Sequence, residues 1–93
     1  MGYLSNADIL AGLMSKSIFS RQQEQLQAVL RRARREAGLT QTELAKRLKQ
    51  PQSFVSKYES GERLLDLVEV RQICRVVQIP LAEVIRQWEE GLQ

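Results

Sequence analysis

The sequence predicts an all-α domain of five helices, on three observations. Apolar residues recur at three- and four-residue spacing in one segment after another, as the buried face of an α-helix requires. Two capping boxes, Thr40 with Glu43 and Asp66 with Glu69, mark helix starts. Gly38, Gly61, Pro51 and Pro80 stand where helices would stop or restart. With 93 residues, the chain can bury one modest core but not two.

Residues 1–20 carry two glycines and only a weak apolar pattern (Ile9, Leu13, Ile18, Phe19), which predicts a loose or partly helical N-terminal arm ahead of a folded domain over 21–93. The first helix is predicted over 21–37, with Ser20 as N-cap and Gly38 in the position that favours a left-handed backbone. Leu26, Val29, Leu30, Ala33 and Ala37 mark its buried face, leaving Arg31, Arg32 and Arg35 on the exposed side. Arg34 falls one turn after Leu30, at the margin of the apolar face, where a guanidinium needs a partner.

Thr40 opens the second helix. Gln41 is then its first residue, with an amide at a helix N-terminus, where the dipole favours an anion. Leu44 and Leu48 face inward, and Ala45 is small enough to admit a close neighbour. Residues 49–51 form a tight turn, and Pro51 suits the start of the third helix, predicted over 52–59. That helix has a thin inward stripe, Val55 and Tyr58 with Phe54 beside it, while Gln52, Ser53, Ser56 and Lys57 project the other way. Its one carboxylate, Glu59, follows Val55 by a turn and sits at the core edge, so a partly buried ion pair with Arg34 is predicted.

After a connection over 62–65, the fourth helix starts at Asp66 and turns Leu67, Val70, Ile73, Cys74 and Val77 inward. Pro80 opens the fifth, whose Leu81, Val84, Ile85 and Trp88 share one face at i, i+3, i+4 and i+7. A face that ends in tryptophan on a terminal helix either closes the monomer core or meets a second copy.

Composition excludes several function classes. No run of 18 apolar residues is present to span a bilayer and no secretory h-region is recognisable, so a cytoplasmic protein without membrane attachment is expected. With one cysteine (Cys74) and no histidine, neither an internal disulfide nor a nitrogen–sulfur metal site is expected, and no cofactor is implied. An enzyme is not expected either, since the chain offers no activated cysteine, no glycine-rich phosphate loop and no carboxylate pair on one inward face. The charge is uneven: residues 21–49 hold eight basic and three acidic side chains, whereas 66–93 hold three and five. The first half suits a polyanion.

The residues of the second and third helices carry a specific pattern, Q-x-x-L-A-x-x-L over 41–48 and Q-x-x-V-S-x-Y-E-x-G over 52–61. With Gln41, Leu44, Ala45, Leu48, Val55, Tyr58, Glu59 and Gly61 in register, the chain from about residue 26 to 88 resembles the five-helix, lambda-repressor-like helix-turn-helix domain of the phage repressor and Cro family, the Xre-type regulators. The resemblance implies a small transcriptional regulator that binds double-stranded DNA sequence-specifically, with the third helix in the major groove. Gln52, Ser53, Ser56 and Lys57 would then contact bases, since glutamine pairs bidentately with adenine and serine accepts several partners. Gln41 and the N–H groups beside it, Lys49, Ser60, Arg63, Arg35 and Arg31 would contact phosphates.

Lys49 departs from the family, which often has glycine at a turn position of positive φ; lysine there costs about 1 kcal/mol and adds a cation near the DNA backbone. One recognition helix touches few base pairs, so a homodimer on a two-fold symmetric operator is implied, with half-sites about 34 Å apart. Leu81, Val84, Ile85 and Trp88 are the candidate interface. No pocket for a small-molecule effector is expected. The alternative is a protein-interaction adaptor or antitoxin on the same fold, which would show apolar anchors on the third helix where Gln52, Ser53, Ser56 and Lys57 stand.

Overall fold

In the computed structural model, which describes residues 20–93, five helices follow one another: α1 (Ser20–Glu36), α2 (Gln41–Arg47), α3 (Gln52–Ser60), α4 (Leu67–Val77) and α5 (Leu81–Gly91). The arm predicted over 1–20 lies, Ser20 apart, outside the described residues. Ser20 itself is the first residue of α1 and not its cap. The helix ends one residue before the expected position. Gly38 takes φ 75° and donates to the Arg35 carbonyl at 2.9 Å, turning the chain so that Leu39 enters the core and Ala37, expected inside, is exposed.

α2 starts with the capping box: the Glu43 N–H donates to Thr40 Oγ1 at 3.1 Å and the Thr40 N–H to Glu43 Oε1 at 3.0 Å. It ends through Leu48 into Lys49, whose φ of 57° reverses the chain, and the Gln50 N–H then reaches the Ala45 carbonyl at 2.9 Å. Pro51 is extended and precedes α3 as its N-cap without a side-chain bond. Gly61 closes α3 at φ 90°, and a Cβ there would lie 3.0 Å from Gln27 Nε2, so glycine meets both a backbone and a space requirement. Asp66 and Glu69 form the second capping box at the start of α4. Gln78, φ 61°, ends that helix in a left-handed turn that no sequence signal announces.

α3 packs on α2, and α1 is flanked by α3 and α5, with α4 closing against α2 and α5. Leu30, Leu44, Val55, Ile73 and Val84 meet at the centre with no exposed surface, and burying each such side chain stabilises the fold by about 1.5–3 kcal/mol. Cys74 is a buried free thiol, its pKa pushed up by burial. Leu67, expected inside, is 65% exposed. It is the first residue of α4, and Leu65 from the preceding connection packs against the core at that end instead.

α5 is tied to α1 along its length. Trp88 Nε1 donates to the Gln22 carbonyl at 2.9 Å, Arg32 Nη2 to Gln87 Oε1 at 2.8 Å and Arg21 Nη2 to the Leu92 carbonyl at 3.0 Å. A Cβ at Gly91 would collide with the Gln25 amide. The apolar face of α5 therefore serves the monomer: Val84 is wholly buried, Leu81 and Trp88 are half-buried, and only Ile85 of the four candidate interface residues is exposed.

Among the described residues, three carboxylates are held below their ordinary range: Glu43 by the Thr40 backbone N–H and hydroxyl, Glu69 by the Arg63 guanidinium and the Asp66 N–H, and Glu83 at about 2 by Arg86 and Gln87. A carboxyl with a lowered folded pKa adds stability that is complete above its unfolded value, about 4.3, and fades as pH falls through the folded value. Thermal melts are therefore expected to be level from pH 7 to about pH 5 and to fall below it. A Glu43→Gln, Glu69→Gln double variant should give a shallower acid slope, and an unchanged slope would show that these caps do not carry it.

Candidate nucleic-acid interface

The residues that resemble a DNA-reading unit converge on one buried carboxylate. Glu59, 2% exposed, receives Arg34 Nε at 2.8 Å on Oε2 and Arg34 Nη2 at 3.1 Å on Oε1. Arg34 Nη1 also donates to the Leu39 carbonyl at 2.8 Å, so one guanidinium joins α1, the loop before α2 and the end of α3. The Glu59 carboxylate raises the Arg34 pKa against the opposing effect of burial. A charge pair this deep is tolerable only when its remaining hydrogen-bonding capacity is met.

Gln41 meets part of it. Its Nε2 donates to Glu59 Oε1 at 2.9 Å, and its own Oε1 accepts from Gln52 Nε2 at 2.9 Å. A carboxylate only accepts, so it turns the NH2 group of Gln41 inward and leaves the Gln41 oxygen for Gln52. The side-chain amide of the first residue of α3 is thereby oriented through two hydrogen bonds from the buried pair. Gln41, expected to face outward toward a phosphate, instead lies half-buried across the start of α3. The signal that could have revealed this is the capacity of Glu59: an ionised carboxylate has about four acceptor sites and Arg34 fills two.

Arg31 keeps 40% of its side chain exposed but is engaged within the protein. Its Nη2 donates to the Glu59 carbonyl at 2.6 Å and its Nε lies 3.7 Å from Glu59 Oε1, so it caps the C-terminal end of α3. Arg35 remains exposed on α1, and Arg31, Arg32 and Arg35 border one shallow depression there.

On α3, Gln52, Ser53 and Lys57 are exposed and Ser56 is half-buried. Glu59, the one acid in α3, is withdrawn into the core. Tyr58 is buried beneath, edge-on to Phe54 with ring centroids 5.6 Å apart; burial pushes its pKa up, and its hydroxyl has no partner among the described residues.

Two of the candidate phosphate contacts are engaged elsewhere. Arg63 is bidentate to Glu69, at 3.1 and 2.8 Å, and lies over the Phe54 ring at 4.7 Å. Its charge is largely met within the protein, where it braces the connection between α3 and α4. The Ser60 hydroxyl lies within hydrogen-bond distance of the Lys57 carbonyl and of Glu62 Oε2, at 3.1 and 3.0 Å, and that carboxylate opposes a phosphate nearby. Lys49, by contrast, is exposed and has no ion-pair partner among the described residues.

The chain matches the helix-turn-helix family over residues 30–84. Among solved structures it is similar to an XRE-family like protein from Pseudomonas syringae pv. tomato str. DC3000, at 41% identity and a TM-score of 0.76, covering 82% of this chain and 93% of that one. It is also similar in fold to two structures of the clp gene regulator ClgR from Corynebacterium glutamicum, each at 24% identity and a TM-score of 0.70; one covers 76% of both chains, the other 77% of this chain and 92% of that one. No curated protein sequence matches.

Because Arg34 and Glu59 are buried together, removing one partner leaves an uncompensated charge. Arg34→Ala is expected to cost about 3–5 kcal/mol in chemical denaturation, with Arg34→Ala, Glu59→Ala together costing less than the sum of the single changes. An unchanged denaturation midpoint for Arg34→Ala would remove the pair as the brace of α3.

Proposed function

The chain belongs to the XRE family of DNA-binding helix-turn-helix transcription regulators, and on that premise we propose that α3 enters the major groove with Gln52 as its main base reader. The observation that carries this reading is the hydrogen-bond chain from the Arg34–Glu59 pair through Gln41 to Gln52. With one N–H of Gln52 engaged by Gln41, the side chain keeps its oxygen and its second N–H for a partner. That set matches the N6–H donor and N7 acceptor of adenine. A glutamine held in one orientation also loses less conformational freedom on binding than a free one.

Ser53, Ser56 and Lys57 are the further base-facing candidates, with Ser56 the least accessible. Lys49 and Arg35 are the phosphate contacts whose charges stay free among the described residues. Gln41, Arg31, Arg63 and Ser60 act mainly as positioning groups, through the bonds described above. A homodimer on a two-fold symmetric operator completes the proposal, since a helix of nine residues reads too few base pairs alone. The adaptor reading would need apolar anchors on α3; among the described residues the exposed large apolar side chains are Leu64, Leu67, Val68 and Ile85, all outside it.

Binding-site selection from random duplex DNA tests the assignment. Gln52→Ala is expected to relax preference at one position of each half-site by about 1–3 kcal/mol. Gln41→Ala should relax the same position, to a smaller extent, because it frees the Gln52 amide. Equal losses for Gln52→Ala on selected and random duplex would remove the base contact, and absence of any gel shift at low salt would overturn DNA binding by this chain. Lys49→Ala should weaken all sequences alike and lower the salt slope by about 1. Sedimentation with the selected duplex is expected to give two protomers per two-fold site, and one protomer would refute the dimer.

A further inference from the structure

The C-terminal end of α2 builds a second basic surface. Arg47, Lys49 and Gln50 face Gln72 and Arg75 of α4 across an open depression of about 440 Å³, floored by Leu48 and Val76. No carboxylate lines it. Arg47, Lys49 and Arg75 form no ion pair among the described residues, whereas Arg34, Arg63 and Arg86 each hold a carboxylate at 2.8 Å or less.

Helix dipoles account for part of this arrangement, since Arg47 lies in the last turn of α2 and Arg75 in the last turn of α4, where cations are favoured. They do not account for Lys49. That residue adopts φ 57°, a backbone that glycine would take with less strain, yet a lysine stands there and adds its charge to the same depression. Nor do dipoles explain why two helix ends bring three free cations and two amides to one open surface.

We propose that this depression takes the phosphate backbone of duplex DNA flanking the bases that α3 reads. The inference rests on the DNA-binding reading above and extends its footprint. α2 has seven residues and is about 10 Å long, with Gln41 at one end and the depression at the other. The turn from Lys49 reaches Gln52 in three residues, so the basic surface is continuous with the start of the reading helix. A duplex that bends around α2 brings its backbone onto Arg47, Lys49 and Arg75, and such contacts offset the deformation. An acidic protein segment would answer the same charge, but continuity with Gln52 favours the duplex.

The test compares two duplexes, the selected site trimmed to its bases and the same site with about ten base pairs of flank at each end, one helical turn. Each phosphate contact adds about 0.9 to the salt slope, so the wild-type slope should be steeper by about 2–3 on the flanked duplex. Arg47→Ala, Arg75→Ala should lose about 2 of that difference and match wild type on the trimmed duplex. Both side chains are exposed, so the variant is expected to stay folded and lose only the small stabilisation of cations at two helix ends, and Arg47→Lys, Arg75→Lys should restore both the melt and the slope. Equal wild-type slopes on the two duplexes, or a variant that loses equally on both, would overturn the flanking contact while leaving the reading by α3 intact. A wild type that binds neither duplex would overturn both.

Discussion

The arrangement of α2 and α3 depends on one buried carboxylate, Glu59, and the donors that meet it. Glu59 alone at 2% exposure would cost several kcal/mol. Two bonds from Arg34 and one from Gln41 remove that penalty, and each donor comes from a different part of the fold from α3 itself. Such a pair adds little net stability compared with apolar residues of the same volume. What apolar residues cannot supply is direction. The guanidinium and the carboxylate fix α3 against α1 at one angle, because a bidentate pair has one good geometry.

Direction matters because α3 is poorly held by other means. A helix of nine residues is unstable alone, and its inward stripe is Val55 and Tyr58 with Phe54 half-buried beside them. Arg31 closes the end of the helix by capping the Glu59 carbonyl, and Arg63 closes the connection beyond by spanning Glu69 and the Phe54 ring. The charge pair thus sets the angle, the two flanking arginines secure the end, and Gln41 carries the orientation outward to Gln52. Under the proposed reading, Gln52 could discriminate between bases only as well as the interior to which it is linked is fixed.

The parts of this arrangement that were legible in the sequence are those fixed over short distances. The capping boxes at Thr40 and Asp66 need only a side chain and a backbone three residues away, and the left-handed positions at Gly38 and Gly61 follow from the absence of a Cβ. Arg34 and Glu59 were legible as a pair because each is a charge at the margin of an apolar face with no local partner. The less legible features involve side chains that can satisfy themselves in more than one way. Gln41 could face solvent or Glu59, and Arg63 could face a phosphate or Glu69; periodicity is silent on that choice, which is settled by which acceptor the fold brings closest. Leu67 shows the same limit for apolar residues, since it is exposed at the start of α4 while Leu65, outside any helix, packs against the core.

The distribution of charge follows from these pairings and is sharper than the formal +3 conveys. Cations that position the fold are neutralised where they stand, and α5 neutralises its own, with Arg86 between Glu83 and Glu90. The charges left without carboxylate partners among the described residues include Arg35 on α1, Arg47 and Lys49 at the end of α2, Lys57 on α3 and Arg75 on α4. Their field is felt over about 10 Å at moderate salt, too short to draw a duplex from afar. Under the proposed reading it would orient the protein at close range, turning the α2–α3 side toward the phosphates and α5, with three glutamates against Arg86, away. Under the proposed reading, the free cations would set the approach, and Gln52, linked through Gln41 to the buried Arg34–Glu59 pair, would read the base presented to it.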